Sequence, residues 1–152
     1  MRSKYLILLI AFLFVAVMGI YFFINPSYEK SLRARYYYEV GDYDKAYLLA
    51  KEAFSIDLYN RMASTIMTQS QTSLKYTTYI EDAKSYMQTI DGIAKHNNIS
   101  EPDKAKIKML CKIMLSTYIK LAPSAITDEA LVEEAAMYNQ KFEILLEKVD
   151  KN

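Results

Sequence analysis

The chain has 152 residues, enough for one domain of moderate size, and its 19 Lys and Arg against 18 Asp and Glu leave a net charge of +1. That balance gives no reason to expect nucleic acid, and no nucleic-acid partner is expected. Three glycines and three prolines are too few for the many tight turns of a sheet-rich fold, one cysteine excludes an internal disulfide, and one histidine without a cysteine partner excludes the usual zinc sets.

The first predicted element is YLILLIAFLFVAVMGIYFFI, Tyr5 to Ile24, which carries no charge. A helix of this length rises about 30 Å, the thickness of a bilayer's hydrocarbon. Tyr5 and Tyr21 suit its two interfaces. Arg2, Lys4 and the amino terminus favour a cytoplasmic leading end, while Lys30, Arg33 and Arg35 beyond the segment oppose that bias. The expectation is an uncleaved signal anchor over 1–26, crossing the inner membrane once through 5–24, with a domain over 27–152 in the periplasm. A cytoplasmic-facing domain is the other orientation. A cleaved leader is the alternative processing, with Val17 and Gly19 as a poor cleavage site, since Ile20 to Ile24 continue the apolar run. Asn25-Pro26-Ser27 ends the segment.

Beyond Pro26 the pattern is helical throughout. Ser27 is a candidate N-cap, and Leu32, Tyr36, Tyr37 and Val40 follow at helical spacing. Gly41 is the one residue nearby that takes a positive φ without steric cost, and Asp42 can cap the next helix. Within that helix Tyr43, Ala46, Leu49, Ala50 and Ala53 share one face. Small alanines let a neighbouring helix approach, and the tyrosines fill the remaining space. Gly41 is therefore the expected corner of an antiparallel pair.

The stretch GDYDKAYLLAKEAFSID, 41–57, resembles the second half of a tetratricopeptide repeat, through Gly41, Tyr43, Ala46, Ala53 and Ile56-Asp57. Ala34 and Tyr37 fit the first half of that pattern. Lys30 departs from it where an aromatic is common, and Leu58 where proline is common. The resemblance implies stacked helical hairpins with a concave groove that binds peptides or protein surfaces without catalysis.

A fainter echo lies at Tyr79 to Asp91, with Ala83 where Ala46 stood and Met87 where Ala50 stood. A helix over about 59–74, carrying Met62, Ile66 and Met67, is expected before it. IAKHNNISEP reads as a loop holding the sole histidine, His96, expected to be solvated. Asn98-Ile99-Ser100 fits the N-glycosylation pattern, which matters only in a eukaryotic secretory setting. Ser100 and Asp103 form a capping box, with Pro102 in the first turn, and the helix runs to about Leu121. On it Lys104, Lys108 and Lys112 make a basic ridge, with Lys106 and Lys120 nearby. Such a ridge is either a solvated face or a contact for an acidic partner, a polyanionic wall polymer or lipid headgroups. Cys111, among Met109, Leu110, Ile113 and Met114, reads as a small core residue, the other reading being a reactive thiol.

The last helix starts near Thr127, with Asp128 and Glu129 placed for the helix dipole. Leu131, Ala135, Tyr138, Phe142, Leu145 and Val149 form a heptad stripe that either closes the same domain or pairs with another chain. The whole is expected as about six helices in three hairpins after the leading segment, forming a solenoid fragment or a compact bundle.

No constellation carries chemistry. Gly19, Gly41 and Gly92 are too far apart for a phosphate-cradling loop. Glu81-Asp82 and Glu133-Glu134 are adjacent on helices, so their side chains diverge. No catalytic, cofactor-binding or metal-binding residue is expected. The expected function is a membrane-anchored, non-enzymatic adaptor that binds other proteins, with Tyr36, Tyr38, Lys104, Lys108 and Lys112 as contact candidates and Gly41, Tyr43, Ala46, Ala50 and Ala53 as its scaffold. By layout the chain is similar to small periplasmic subunits of bacterial envelope machines, such as the flagellar motor or secretion systems. A soluble periplasmic or secreted binding protein with its leader removed is the alternative.

Overall fold

The computed structural model describes residues 2–95, 99–124 and 127–151, with side chains described at 5–20 and from 24 onward. His96 and Asn98 lie outside the described residues. The fold is all-α: α1 (Arg2–Ile24), α2 (Pro26–Glu39), α3 (Tyr43–Ile56), α4 (Arg61–Ala94), α5 (Glu101–Tyr118) and α6 (Glu129–Lys151), with no strand among the described residues. The chain divides into two compact units, Met1–Ser70 and Gln71–Asn152, so α4 contributes to both.

α1 is apolar on every side. Its described side chains are exposed from Tyr5 through Met18, and Phe12 reaches 76%. Among the described residues, no helix is long and apolar enough to cross a membrane. The transmembrane segment expected over 5–24 is therefore not found among the described residues.

In the first unit, α2 begins two residues earlier than expected. Asn25, not Ser27, is the N-cap: its side chain accepts from the Ser27 N–H at 3.0 Å, and Pro26 occupies the first helical position. Proline suits that place because it has no N–H to leave unpaired. At the other end, the Gly41 N–H donates to the Tyr38 carbonyl at 3.1 Å and the Asp42 N–H to the Tyr37 carbonyl at 2.9 Å. With Gly41 at φ +82°, this is a Schellman stop. Asp42 then caps α3, accepting from the Lys45 N–H at 3.2 Å and pairing with its ammonium at 2.7 Å. The antiparallel pair expected around Gly41 is present.

Nothing stands within 4 Å of a Cβ built on Gly41, so a side chain there meets strain rather than a clash. Gly41→Val is expected to destabilise by about 1–2 kcal/mol, and Gly41→Asn by less, because asparagine tolerates the left-handed region. Thermal melts of the two variants check this, and an unchanged midpoint for valine would contradict it.

Ala34, Ala46, Ala50 and Ala53 are fully buried, and Ile66 of α4 closes the core over α2 and α3. The Tyr38 ring meets Tyr43 edge-on at 5.4 Å. Beneath this lies a polar knot. The Ser27 hydroxyl donates to the Ala53 carbonyl at 2.8 Å and accepts from the Asn60 amide at 2.8 Å. The same amide reaches the Ser31 hydroxyl at 3.3 Å, while the Asn60 carbonyl oxygen caps α4 at the Ala63 N–H, 3.1 Å away. One side chain thus starts α4 and ties it to α2.

α4 differs from expectation. The two helices expected over 59–74 and 79–91 are one helix of 34 residues, so five helices follow α1, not six. No glycine or proline interrupts 59–91, and threonine is tolerated in a helix when its hydroxyl bonds back to a carbonyl of the preceding turn. Thr68 and Thr77 do so, to the carbonyls of Ser64 and Leu74. The second hairpin is consequently not formed.

The second unit packs α4, α5 and α6 around Tyr76, Tyr79, Ile80, Ala83, Ile107, Leu110, Met114, Ala135 and Phe142. Ser100 caps α5, accepting from the Asp103 N–H at 3.3 Å, and Asp128 accepts from the Ala130 N–H at 3.0 Å to start α6. Every member of the α6 stripe from Leu131 to Val149 belongs to this core or packs on it. The stripe closes the chain's own unit.

Candidate docking groove

The scaffold residues expected from the sequence come together. Gly41 turns the chain, and Tyr43, Ala46, Ala50 and Ala53 bring α3 against α2. The contact candidates do not form one patch. Tyr36 is 64% exposed, with its ring edge-on to Tyr37 at 5.5 Å. Tyr38 lies on the other side of α2, half-buried, and lines a cleft of about 370 Å³ in the first unit. α2 and the start of α4 form its walls. Tyr38, Met62 and Ile66 make an apolar floor, and Arg35, Glu39 and Arg61 sit on the rim with Thr65 and Gln69.

The rim is charged but modest. Arg35 Nε lies 3.5 Å from Glu39 Oε1, one turn along the same helix. Arg61, the first residue of α4, makes no ion pair among the described residues, so the rim keeps one uncompensated cation. An apolar floor with a polar rim suits a protruding side chain of a partner, held by area and oriented by a few polar contacts.

The lysines belong to the second unit. Lys104 pairs with Glu101 at 2.9 Å, and Lys108 with Asp150 of α6 at 2.8 Å. The Lys108 ammonium holds the Asp150 carboxyl below its ordinary range. Lys112 is exposed and makes no ion pair among the described residues. Sequence alone could not show that the end of α6 meets the start of α5 and consumes part of the ridge. A further cleft of about 530 Å³ in this unit has Leu74, Tyr79 and Leu121 in its wall and Lys75, Asp82 and Lys120 around it.

Two titratable groups are displaced by burial. Cys111 is fully buried, which pushes its thiol up, as the core reading requires. Tyr79 is 1% exposed, and its hydroxyl has no hydrogen-bond partner among the described residues. Burial first, then Tyr118 and Glu143, push its phenol up to about 12. The folded chain holds this proton where the unfolded chain releases it near pH 10. Stability is therefore fully present below pH 10 and falls as pH rises through about 12. Tyr76 adds to the fall in the same direction. Tyr79→Phe is expected to flatten this alkaline loss, read by melts at about pH 9 and about pH 11.

Among the described residues no group of three or more His, Cys, Asp or Glu gathers as a metal site. No family model, no curated protein and no solved structure matches the chain.

Proposed function

We propose that this protein is a membrane-anchored, non-enzymatic adaptor, held in the inner membrane by its leading segment, with a tetratricopeptide-like helical domain that docks other proteins in the periplasm. The observation that carries the reading is α1, an exposed helix without a polar face. Leaving that much apolar surface in water costs about 25 cal/mol per Å², so the helix needs a cover, and the uncharged stretch of 5–24 matches lipid in length. The groove of Tyr38, Met62 and Ile66 supplies the docking surface. Tethering confines the search for partners to two dimensions and raises their effective concentration.

A photo-crosslinking residue at Thr65, on the groove wall, tests the docking half in intact membranes. Crosslinked partners are expected at Thr65 and not at Asp44, which is exposed on α3 outside the groove. Equal labelling at both positions, or none at Thr65, would contradict the groove as the docking surface.

A further inference from the structure

The solvent face of α5 is unusual for a helix exposed to water. Met109 is 56% exposed, Ile113 39%, and Ile119, one residue past the helix end, 83%. At 100° per residue these three fall on the same side as Lys112 and Lys120, with Lys106 at its edge. These three lysines make no ion pair among the described residues, and no acidic residue occurs from 104 to 121. Of the nearby acids, Glu101 is paired with Lys104 and Asp150 with Lys108, Lys112 also helps to hold the Asp150 carboxyl down, and Asp82 lines the other cleft of this unit with Lys120. Side chains of this face line a shallow concavity of about 610 Å³ around Lys108, Met109, Lys112 and Ile113.

We infer that this face lies on an anionic lipid surface, with Met109, Ile113 and Ile119 entering the headgroup boundary and Lys106, Lys112 and Lys120 contacting lipid phosphates. The inference extends the proposed tether to a second, peripheral contact. Apolar side chains framed by lysines whose stems lie along apolar surface and whose ammonium groups reach outward are the pattern of an interfacial helix. Charge complementarity selects lipid of negative charge, since lysines without an ion pair gain little from a zwitterionic surface. A weak contact suffices, because a chain already fastened to the bilayer meets it at high effective concentration.

The test uses the full chain carrying Ile113→Cys, labelled with a polarity-sensitive dye and reconstituted into vesicles. Cys111 is fully buried and stays unlabelled. In vesicles of about 30% anionic lipid the dye is expected to shift to the blue and to lose roughly tenfold in quenching by an aqueous quencher. In zwitterionic vesicles it should do neither. Lys106→Gln/Lys112→Gln/Lys120→Gln, or salt near ~1 M, should abolish the shielding, with helicity unchanged by circular dichroism. Equal shielding in both vesicles, or shielding that survives the triple variant, would overturn the inference. Shielding produced by polyglutamate in zwitterionic vesicles, and absent with anionic lipid alone, would assign the face to an acidic protein instead. An alkaline wash of the same vesicles reads the tether separately. A chain washed off although its dye was shielded would sink the anchor and keep this face.

Discussion

Phe142→Ala is expected to destabilise the second unit by about 3–5 kcal/mol, the largest loss from any single side chain here. Phe142 is fully buried between Ala135, Met114, Tyr79 and the other members of the α4–α5–α6 core. Truncation removes the transfer free energy of the ring and leaves a cavity that rigid helices refill only in part. Phe142→Leu keeps most of the volume and is expected to lose under half as much. Chemical denaturation of the full chain in a mild non-ionic detergent, followed by circular dichroism, reads both. Similar midpoints for alanine and wild type would mean that α6 does not close this core.

Asn60→Leu follows, with an expected loss of about 2–4 kcal/mol in the first unit. The asparagine is 1% exposed and serves three partners at once: the Ala63 N–H at the start of α4, and the hydroxyls of Ser27 and Ser31 on α2. Leucine leaves the Ala63 N–H unpaired in a dry setting and forces extra volume onto two buried serines. Two further substitutions separate the roles. Asn60→Ser restores a cap but cannot reach α2, so it should recover part of the loss. Asn60→Asp keeps the cap geometry yet places a carboxylate where both serine hydroxyls already donate elsewhere, to Ala53 and Tyr28, so it should lose more than serine does. If serine and aspartate behave alike, the tie to α2 carries no weight.

The hairpin was legible because each of its devices is local. Gly41 is a lone glycine between two apolar periodic runs, Asp42 follows it at once, and alanines recur on one face of α3. The cap at Asn25 could have been read as well, since proline at 26 favours the first helical position and so points one residue back. Asn60 also left a signal, standing one residue before α4 after an Asp57 whose side chain accepts from the Tyr59 N–H at 2.9 Å. Its reach to Ser27 and Ser31 is a contact across some thirty residues of chain, and no local pattern announces it. α4 reads as two helices in the sequence because Tyr79 to Asp91 echoes α3, with Ala83 where Ala46 stands and Met87 where Ala50 stands. Without glycine or proline, the i to i−4 ladder simply continues through it.

The same limit governed the site. Tyr38 and Tyr36 are two residues apart on a helix and so face opposite ways, which spacing alone tells. That Tyr38 meets Met62 and Ile66 in a cleft depends on how α4 lies against α2, and that is a property of the packed core. The lysine ridge is visible in the sequence as a spacing of four, but the pairing of Lys108 with Asp150 arises from α6 folding back onto α5.

The central claim is that the leading helix stays on the chain and sits in lipid. Intact-mass measurement of the native protein recovered from alkali-washed membranes tests it most directly. The account predicts a full-length mass that retains residues 5–24, found wholly in the washed membrane pellet. A mass lacking the first twenty or so residues, or full-length protein released into the alkaline supernatant, would contradict it.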